Sequence, residues 1–178
     1  MNVTDRIALV TGSGRGIGRG IALVLAENGA DVVVTDINFN DAQLVAKEIS
    51  SLGRKSTAIH VNVMDQESIE LMIAKVTEQF GKIDILVNNA GVIAAAGWET
   101  RNASTEDDWD LTYEVNVKGV VRVTEAITPR MKERRYGKII NIASVSGRIG
   151  SLTSMPYSAS KAAVINLTQT TALVLAPF

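Results

Sequence analysis

The chain of 178 residues has no cysteine, one histidine and few aromatic residues. Without cysteine it can form no disulfide bond, thiolate nucleophile or sulfur-based metal site. The lone histidine, His60, lacks the partner ligands that a metal site needs, so we predict no bound metal. No apolar run reaches membrane-spanning length, and the N-terminus has no signal-peptide pattern. We therefore expect a cytoplasmic protein without a membrane partner.

An excess of charge of either sign is also missing, since 18 basic side chains face 19 acidic ones. This balance gives no reason to expect a nucleic acid as partner. The basic run Lys132–Arg135 lies near a predicted helix C-terminus, where cations complement the helix dipole. We interpret it as a solvated helix end, and we expect a small-molecule substrate.

Short β-branched runs alternate with longer segments of helical periodicity. This alternation predicts an α/β protein with a doubly wound parallel sheet. No linker divides the chain, so we expect one domain over residues 1–178. Strands are predicted at 7–11, 31–36, 56–63, 83–87 and 138–143. Helices are predicted at 17–27, 41–52, 66–80, from Thr105 to about Arg135 with a kink or a break at Pro129, and at 155–175.

A glycine-rich turn, Thr11–Gly18, joins the first strand to the first helix. Glycines let the backbone approach a pyrophosphate, which the helix N-terminus can bind. Asp36 ends the second strand, where a carboxylate can accept from the adenosine ribose and would repel a 2′-phosphate. Ile37 adds no cation, so we predict NAD rather than NADP, with Arg15 as the counter-evidence. The alternative is that Asp36 only ends a strand.

Tyr157 and Lys161 lie four residues apart at the start of the last predicted helix. Residues at this spacing share one helix face, and an ammonium close to a phenol favours the phenolate. Such a tyrosine can exchange a proton with an alcohol or a carbonyl oxygen. The same spacing occurs on ordinary helix surfaces, so its interpretation depends on the glycine-rich turn.

Taken together, the motifs resemble those of the short-chain dehydrogenase/reductase family. The resemblance covers nearly the whole chain, with its motifs in the family's order. The matching motifs are Thr11-Gly12-x-x-x-Gly16-x-Gly18, Asn88-Asn89-Ala90-Gly91, Asn116-Val117-Lys118-Gly119, Ser144, and the pair Tyr157 and Lys161.

The resemblance implies an oxidoreductase that transfers a hydride between a nicotinamide cofactor and a secondary alcohol or ketone. It implies that Tyr157 exchanges the proton, Lys161 supports it, Ser144 holds the substrate oxygen and Asn116 positions a water. Asn62 replaces an aspartate usual at the family's adenine pocket, and its carbonyl can still accept from adenine. The predicted cofactor-binding residues are Gly12, Ser13, Arg15, Gly16, Ile17, Gly18, Asp36, Ile37, Asn62, Val63, Asn89, Ala90, Gly91, Tyr157 and Lys161.

The resemblance also implies the strand order 3-2-1-4-5 and a homotetramer or homodimer built on the helices after strands four and five. Family members continue beyond the position of Phe178. We therefore expect the domain to be C-terminally incomplete, without the family's last strands and substrate loop.

Several alternatives stay open at this point. Among enzymes, a 3-oxoacyl-(acyl-carrier-protein) reductase that uses NADPH fits the same motifs, although Asp36 favours a dehydrogenase of small alcohols or polyols. Sugar-nucleotide epimerases also use Tyr and Lys, but their usual Gly-x-x-Gly-x-x-Gly spacing is not matched. A non-catalytic NAD-binding fragment is the third alternative, in which Ser144 and Asn116 have only structural roles. Trp98 follows the Asn-Asn-Ala-Gly motif, and we expect it at the substrate mouth.

Overall fold

The computed structural model of the protein describes residues 2–150 and 154–178. It contains five strands, β1 (Ile7–Thr11), β2 (Asp31–Asp36), β3 (Ser56–His60), β4 (Ile85–Asn88) and β5 (Lys138–Asn141). All the pairings are parallel, and the strands lie in the order β3-β2-β1-β4-β5. The predicted doubly wound α/β fold and its strand order are therefore confirmed.

Six α-helices of the described residues cover the two faces of this sheet. They are α1 (Gly16–Glu27), α2 (Phe39–Ser51), α3 (Gln66–Phe80), α4 (Glu106–Tyr113), α5 (Gly119–Glu133) and α6 (Met155–Leu175). Alternate residues of a strand point to opposite faces. Accordingly, Leu9 packs in a cluster with residues of α3 and α5, while Ala8 and Val10 pack in a second cluster with residues of α1 and α2.

The long helix predicted from Thr105 to Arg135 is divided by a π-helical segment at Glu114–Lys118. Of the kink or break predicted at Pro129, a break is absent, because α5 runs continuously through that residue. Pro129 has no N–H to give to the carbonyl of Glu125 one turn earlier. The hydroxyl of Thr128 donates to that carbonyl instead, at 3.5 Å.

Two strands end earlier than the sequence predicted. β3 ends at His60 rather than Val63, because Asn62 forms a turn in which its Oδ1 accepts from the N–H of Met64 at 3.0 Å. β5 ends at Asn141 rather than Ala143, and within the described residues it pairs only with β4, as expected for an edge strand. Ile140 on this strand is 46% exposed.

No helix within residues 2–150 and 154–178 is both long enough and apolar enough to cross a membrane. The same residues contain no group of three or more histidine and acidic side chains that could hold a metal ion.

Gly18 and Gly20 offer a matched test of how closely α1 packs against the end of β1. A Cβ atom on Gly18 would overlap the carbonyl oxygen of Gly12, whereas one on Gly20 meets no atom of the described residues within 4 Å. We expect Gly18→Ala to lower the free energy of unfolding by about 1–3 kcal/mol, since backbone atoms must move. Gly20→Ala should raise it by about 0.5–1 kcal/mol through helix propensity.

Urea unfolding of the protein without ligand measures both effects. Equal changes in the two variants would contradict the close packing at Gly18.

Candidate active site

A cleft of about 430 Å³ opens at the carboxyl ends of the central strands. β1 leads into α1 on one face of the sheet, and β4 leads toward α5 on the other. In open α/β sheets, ligands bind at such a switch point. Many predicted cofactor residues line the cleft, namely Gly12, Arg15, Ile17, Gly18, Asp36, Ile37, Asn62, Val63, Asn89, Ala90 and Gly91.

The glycine-rich turn forms one wall of this cleft. Gly12 and Gly16 have φ angles of 61° and 57°, in the left-handed region that favours glycine. A Cβ atom on Gly12 would lie 2.8 Å from the Cα of Ala90, so the turn lies directly against the loop after β4. Gly16 is at the first position of α1 but does not line the cleft.

Ser13, in the middle of the turn, is completely buried. Its hydroxyl donates to the carbonyl of Val10 at 2.7 Å and accepts from the N–H of Thr35 at 3.1 Å. The side chain therefore faces away from the cleft. Its contacts hold the turn against β2, which differs from the cofactor contact predicted from sequence.

The N-terminus of α1 differs from those of α2, α3, α4 and α6. Those four helices begin with a side chain that accepts from a backbone N–H of the first turn. At α1, the residue in the capping position is Arg15, which makes no such hydrogen bond within the described residues. Helix N-terminal N–H groups without a cap need other acceptors, and these groups lie at the cleft.

Asp36 reaches the cleft from the end of β2. Its Oδ2 accepts from the N–H of Gly14 at 2.8 Å, and its Oδ1 accepts from the N–H of Asn38 at 3.0 Å. A carboxylate has about four acceptor positions, so the group keeps capacity for a ligand. No ion pair links Asp36 with Arg15 in the part of the chain that the structure describes, so its negative charge remains at the cleft.

Lys161 lies on α6 and is only 6% exposed. Its Nζ donates to the carbonyl of Ile142 at 2.7 Å and lies 5.6 Å from the centre of the Tyr157 ring. Burial lowers the pKa of Lys161, because the ammonium loses its hydration. One carbonyl satisfies only one of its three donors.

Gly91 connects the cleft with this lysine. It lines the cleft, and a Cβ atom on Gly91 would lie 3.1 Å from Oδ1 of Asn116 and 3.6 Å from Nζ of Lys161. The structure therefore brings together the cleft, Asn116 and Lys161. Neither Tyr157 nor Lys161 lines the cleft itself, although both were predicted to contact the cofactor.

Asn116 lies in the π-helical segment and is 1% exposed. Its side-chain amide exchanges two hydrogen bonds with the backbone of Val92, both at 2.8 Å. Ser144 follows β5, and its Oγ accepts from the N–H of Ser146 at 3.2 Å. Ser144 borders a separate hollow beside α6, and no hydrogen bond joins it to Tyr157 in residues 2–150 and 154–178.

The loop after the cleft is held by Asp108, a buried residue in the first turn of α4. This buried carboxylate accepts from the N–H of Thr105 at 2.8 Å and the N–H of Ala95 at 2.9 Å, and it pairs with Arg101. These partners lower the pKa of Asp108, the backbone of Thr105 most of all. Trp98 borders a neighbouring hollow of about 290 Å³ together with Asp108 and Ser154, and its contact with substrate stays a prediction.

Sequence reasoning did not identify the apolar residues that complete the cleft. These follow β3 and β4 or lie on α4 and the π-helical segment, and they are Val61, Met64, Val92, Leu111 and Val115. Their only sequence signal is a position near the end of a predicted strand, after it, or within a predicted helix. They provide apolar walls suited to an aromatic ring system.

A family profile and the sequence of a known enzyme both match this chain over almost its whole length. The profile of the family described as short chain dehydrogenase matches residues 6–178. A 3-oxoacyl-(acyl-carrier-protein) reductase, FabG of Thermotoga maritima, is 38% identical over an alignment of 180 positions that covers 99% of this chain and 70% of that protein.

Two solved structures are also similar. The crystal structure of NAD⁺-bound xylitol dehydrogenase matches with a TM-score of 0.92 and 33% identity, over 99% of this chain and 67% of the other. A 7α-hydroxysteroid dehydrogenase complexed with NADH and 7-oxo glycochenodeoxycholic acid matches with a TM-score of 0.90 and 31% identity, over 99% of this chain and 68% of the other.

The fold and the cleft define a dinucleotide-binding α/β protein. The profile match and the identities narrow this class, and the chain belongs to the short-chain dehydrogenase family. It is therefore an oxidoreductase that acts on CH–OH or keto groups.

The lowered pKa of Lys161 makes the stability of the protein depend on pH. Between this lowered pKa and the ordinary value of 10.5, the side chain is neutral in the folded chain and charged in the unfolded chain. Unfolding then takes up a proton, so a rise in pH disfavours unfolding. We expect the free energy of unfolding of the wild type, relative to Lys161→Met, to increase with pH across this window.

Urea unfolding at a series of pH values measures this difference. Lys47→Met removes an exposed lysine of α2 and serves as the control, with a difference that stays constant. If the difference in free energy of unfolding between the wild type and Lys161→Met falls as pH rises, the predicted direction of the pH dependence is wrong.

Proposed function

We propose that the protein is an NAD-dependent oxidoreductase that transfers a hydride between NAD and a secondary alcohol or ketone. The observation on which the proposal depends is the position of Gly91, which lines the cleft and lies against both Asn116 and Lys161. A cofactor in the cleft and a proton-exchanging group on α6 would then meet at one place.

The residues of the cleft fit a dinucleotide. The uncapped N-terminus of α1 and the exposed backbone of the glycine-rich turn suit a pyrophosphate, and Asp36 has free acceptor positions for ribose hydroxyls. Val61, Val63 and Asn62 provide apolar and amide surface for an adenine. Bound NAD would supply the hydride acceptor or donor, while the protein supplies orientation and electrostatics.

Tyr157, Lys161 and Ser144 would handle the substrate proton and oxygen. In oxidation, the Tyr157 phenolate accepts the hydroxyl proton as the carbinol C–H bond breaks and its hydride leaves the substrate. In reduction, the Tyr157 hydroxyl donates that proton to the former carbonyl oxygen. Lys161 brings its amino group to 5.6 Å from the centre of the Tyr157 ring, and Ser144 would donate a hydrogen bond to the substrate oxygen. Asn116 fixes the loop beside them and would position a water that connects Lys161 with solvent.

A 3-oxoacyl-(acyl-carrier-protein) reductase with NADPH is the second candidate, favoured by the name of the Thermotoga maritima relative. Asp36 argues for NAD, since a 2′-phosphate at the end of β2 would meet its negative charge. Arg15, which lines the same cleft, is the residue that supports NADPH. A non-catalytic NAD-binding protein would bind the cofactor without turnover of any substrate.

We further propose that residues 1–178 form one dinucleotide-binding and catalytic domain that assembles as a homotetramer or homodimer. A groove between α5 and α6, lined by apolar residues such as Val120, Leu167 and Val174, supports an interface on these two helices. The cytoplasmic location remains a prediction from the sequence.

Replacing the phenol tests the catalytic role of Tyr157. We expect Tyr157→Phe to lower kcat by about 10²–10⁴-fold, because the general acid/base is lost, while the dissociation constant for NADH changes little. A panel of secondary alcohols and ketones with NAD and NADP measures kcat, and NADH fluorescence measures binding.

Tyr136→Phe provides the matched control for this experiment. Tyr136 lies just before β5, between Arg6 and Lys138, at the opposite end of the strands from the cleft. Its loss should leave kcat unchanged, and wild-type turnover in Tyr157→Phe would refute the proposed role.

Removing the charge of Asp36 tests the cofactor preference. We expect Asp36→Asn to shift the ratio of kcat/KM for NAD to that for NADP by about tenfold toward NADP, which corresponds to about 1.4 kcal/mol. Asp41→Asn is the control, because Asp41 is a nearby carboxylate in the first turn of α2 that does not line the cleft. An unchanged ratio in Asp36→Asn would contradict the assignment.

A further inference from the structure

Ser160 lies on α6 between Tyr157 and Lys161 and is completely buried. Its hydroxyl donates to the carbonyl of Tyr157 at 2.7 Å and accepts from Nδ2 of Asn116 at 3.0 Å. The residue thus joins the first turn of α6 to the π-helical segment. The proton-transfer scheme above uses Asn116, Tyr157 and Lys161 but gives Ser160 no part.

The direction of these hydrogen bonds follows from the backbone of Val92. Its N–H requires an acceptor and its carbonyl requires a donor, so Oδ1 and Nδ2 of Asn116 have fixed places. An amide has two N–H donors, and the one not used by Val92 points to Ser160. Because the serine oxygen accepts there, its single hydrogen goes to the carbonyl of Tyr157.

Hydroxyls in other helices of this protein make simpler contacts. Ser50 and Thr77 donate to carbonyls four residues earlier in their own helices, a pattern that has no effect outside the helix. Ser160 differs because it also accepts from another element. Thr168, further along α6, has the same pattern, donating to Val164 and accepting from Asn141 of β5, but it is exposed and lies outside the cleft.

We propose that Ser160 is a positioning residue for Tyr157 and Lys161, and this inference rests on the proposed function. Through Asn116, its hydroxyl ties the turn that bears the phenol to Val92, which lines the cleft next to Gly91. The phenol is thereby held at a set distance from the cofactor side of the site. Hydride transfer needs reacting atoms about 3–3.5 Å apart, and a shift of about 1 Å can cost on the order of 10²-fold in rate.

Removing the hydroxyl of Ser160 tests whether this residue affects the rate of the reaction or only the stability of the fold. We expect Ser160→Ala to lower kcat by about 10- to 100-fold with little change in the KM for NAD. The primary deuterium isotope effect on kcat should increase, because hydride transfer becomes the slow step. Ser160→Thr, which keeps the hydroxyl, should recover most of kcat.

Thr168→Val is the matched control on the same helix. Both Thr168→Val and Ser160→Ala should lower the free energy of unfolding, by about 1 kcal/mol for a lost hydrogen bond. Only Ser160→Ala should change kcat and the isotope effect.

The outcomes distinguish this inference from the proposed function. A wild-type kcat and isotope effect in Ser160→Ala, with an active wild type, would overturn the role of Ser160 alone. A similar loss of kcat in Thr168→Val would show that the loss in Ser160→Ala comes from lower stability alone. That result would also overturn the role of Ser160. A wild type that turns over no alcohol or ketone with either cofactor would overturn both proposals.

Discussion

The side-chain amide of Asn89 joins the ends of the two central strands, and the cleft depends on this contact. It donates to the carbonyls of Thr11 and Gly12 at 2.9 and 2.8 Å, while the Thr11 hydroxyl accepts from the N–H groups of Asn89 and Ala90. β1 and β4 separate here because their helices cover opposite faces of the sheet. The amide holds the glycine-rich turn and the loop through Gly91 as facing walls, so both can contact one ligand.

The chemistry depends on a second constraint, the burial of Lys161 beside that loop. Its ammonium has lost most of its water and has one carbonyl partner in the described residues, so the apoprotein holds a charge at a cost in stability. A phenolate on Tyr157 would compensate this charge. Asn116 and Lys161 both lie close to Gly91, and the π-helical segment allows Asn116 to point there from an otherwise regular helix. The π-helical segment and the buried amino group of Lys161 thus lie at the same place, beside Gly91.

Much of this arrangement could be predicted from the sequence, because local rules determine it. The alternation of strands and helices predicts the doubly wound sheet, the family resemblance implies its strand order, and α3 has the predicted ends at Gln66 and Phe80. Contacts that join distant segments could not be predicted in the same way. The inward turn of Ser13 depends on β2, and the burial of Asn116 depends on its hydrogen bonds with the backbone of Val92. The helix continues through Pro129, where Thr128 supplies the donor that proline lacks.

We propose that the cleft and α6 together perform hydride transfer from a carbinol carbon. The most direct measurement is the reaction of NAD with a secondary alcohol that bears deuterium on its carbinol carbon, followed by mass spectrometry of the NADH formed. We expect one deuterium in each NADH, with no hydrogen taken from solvent at that position. NADH without deuterium, or no NADH with any alcohol of the panel, would contradict it.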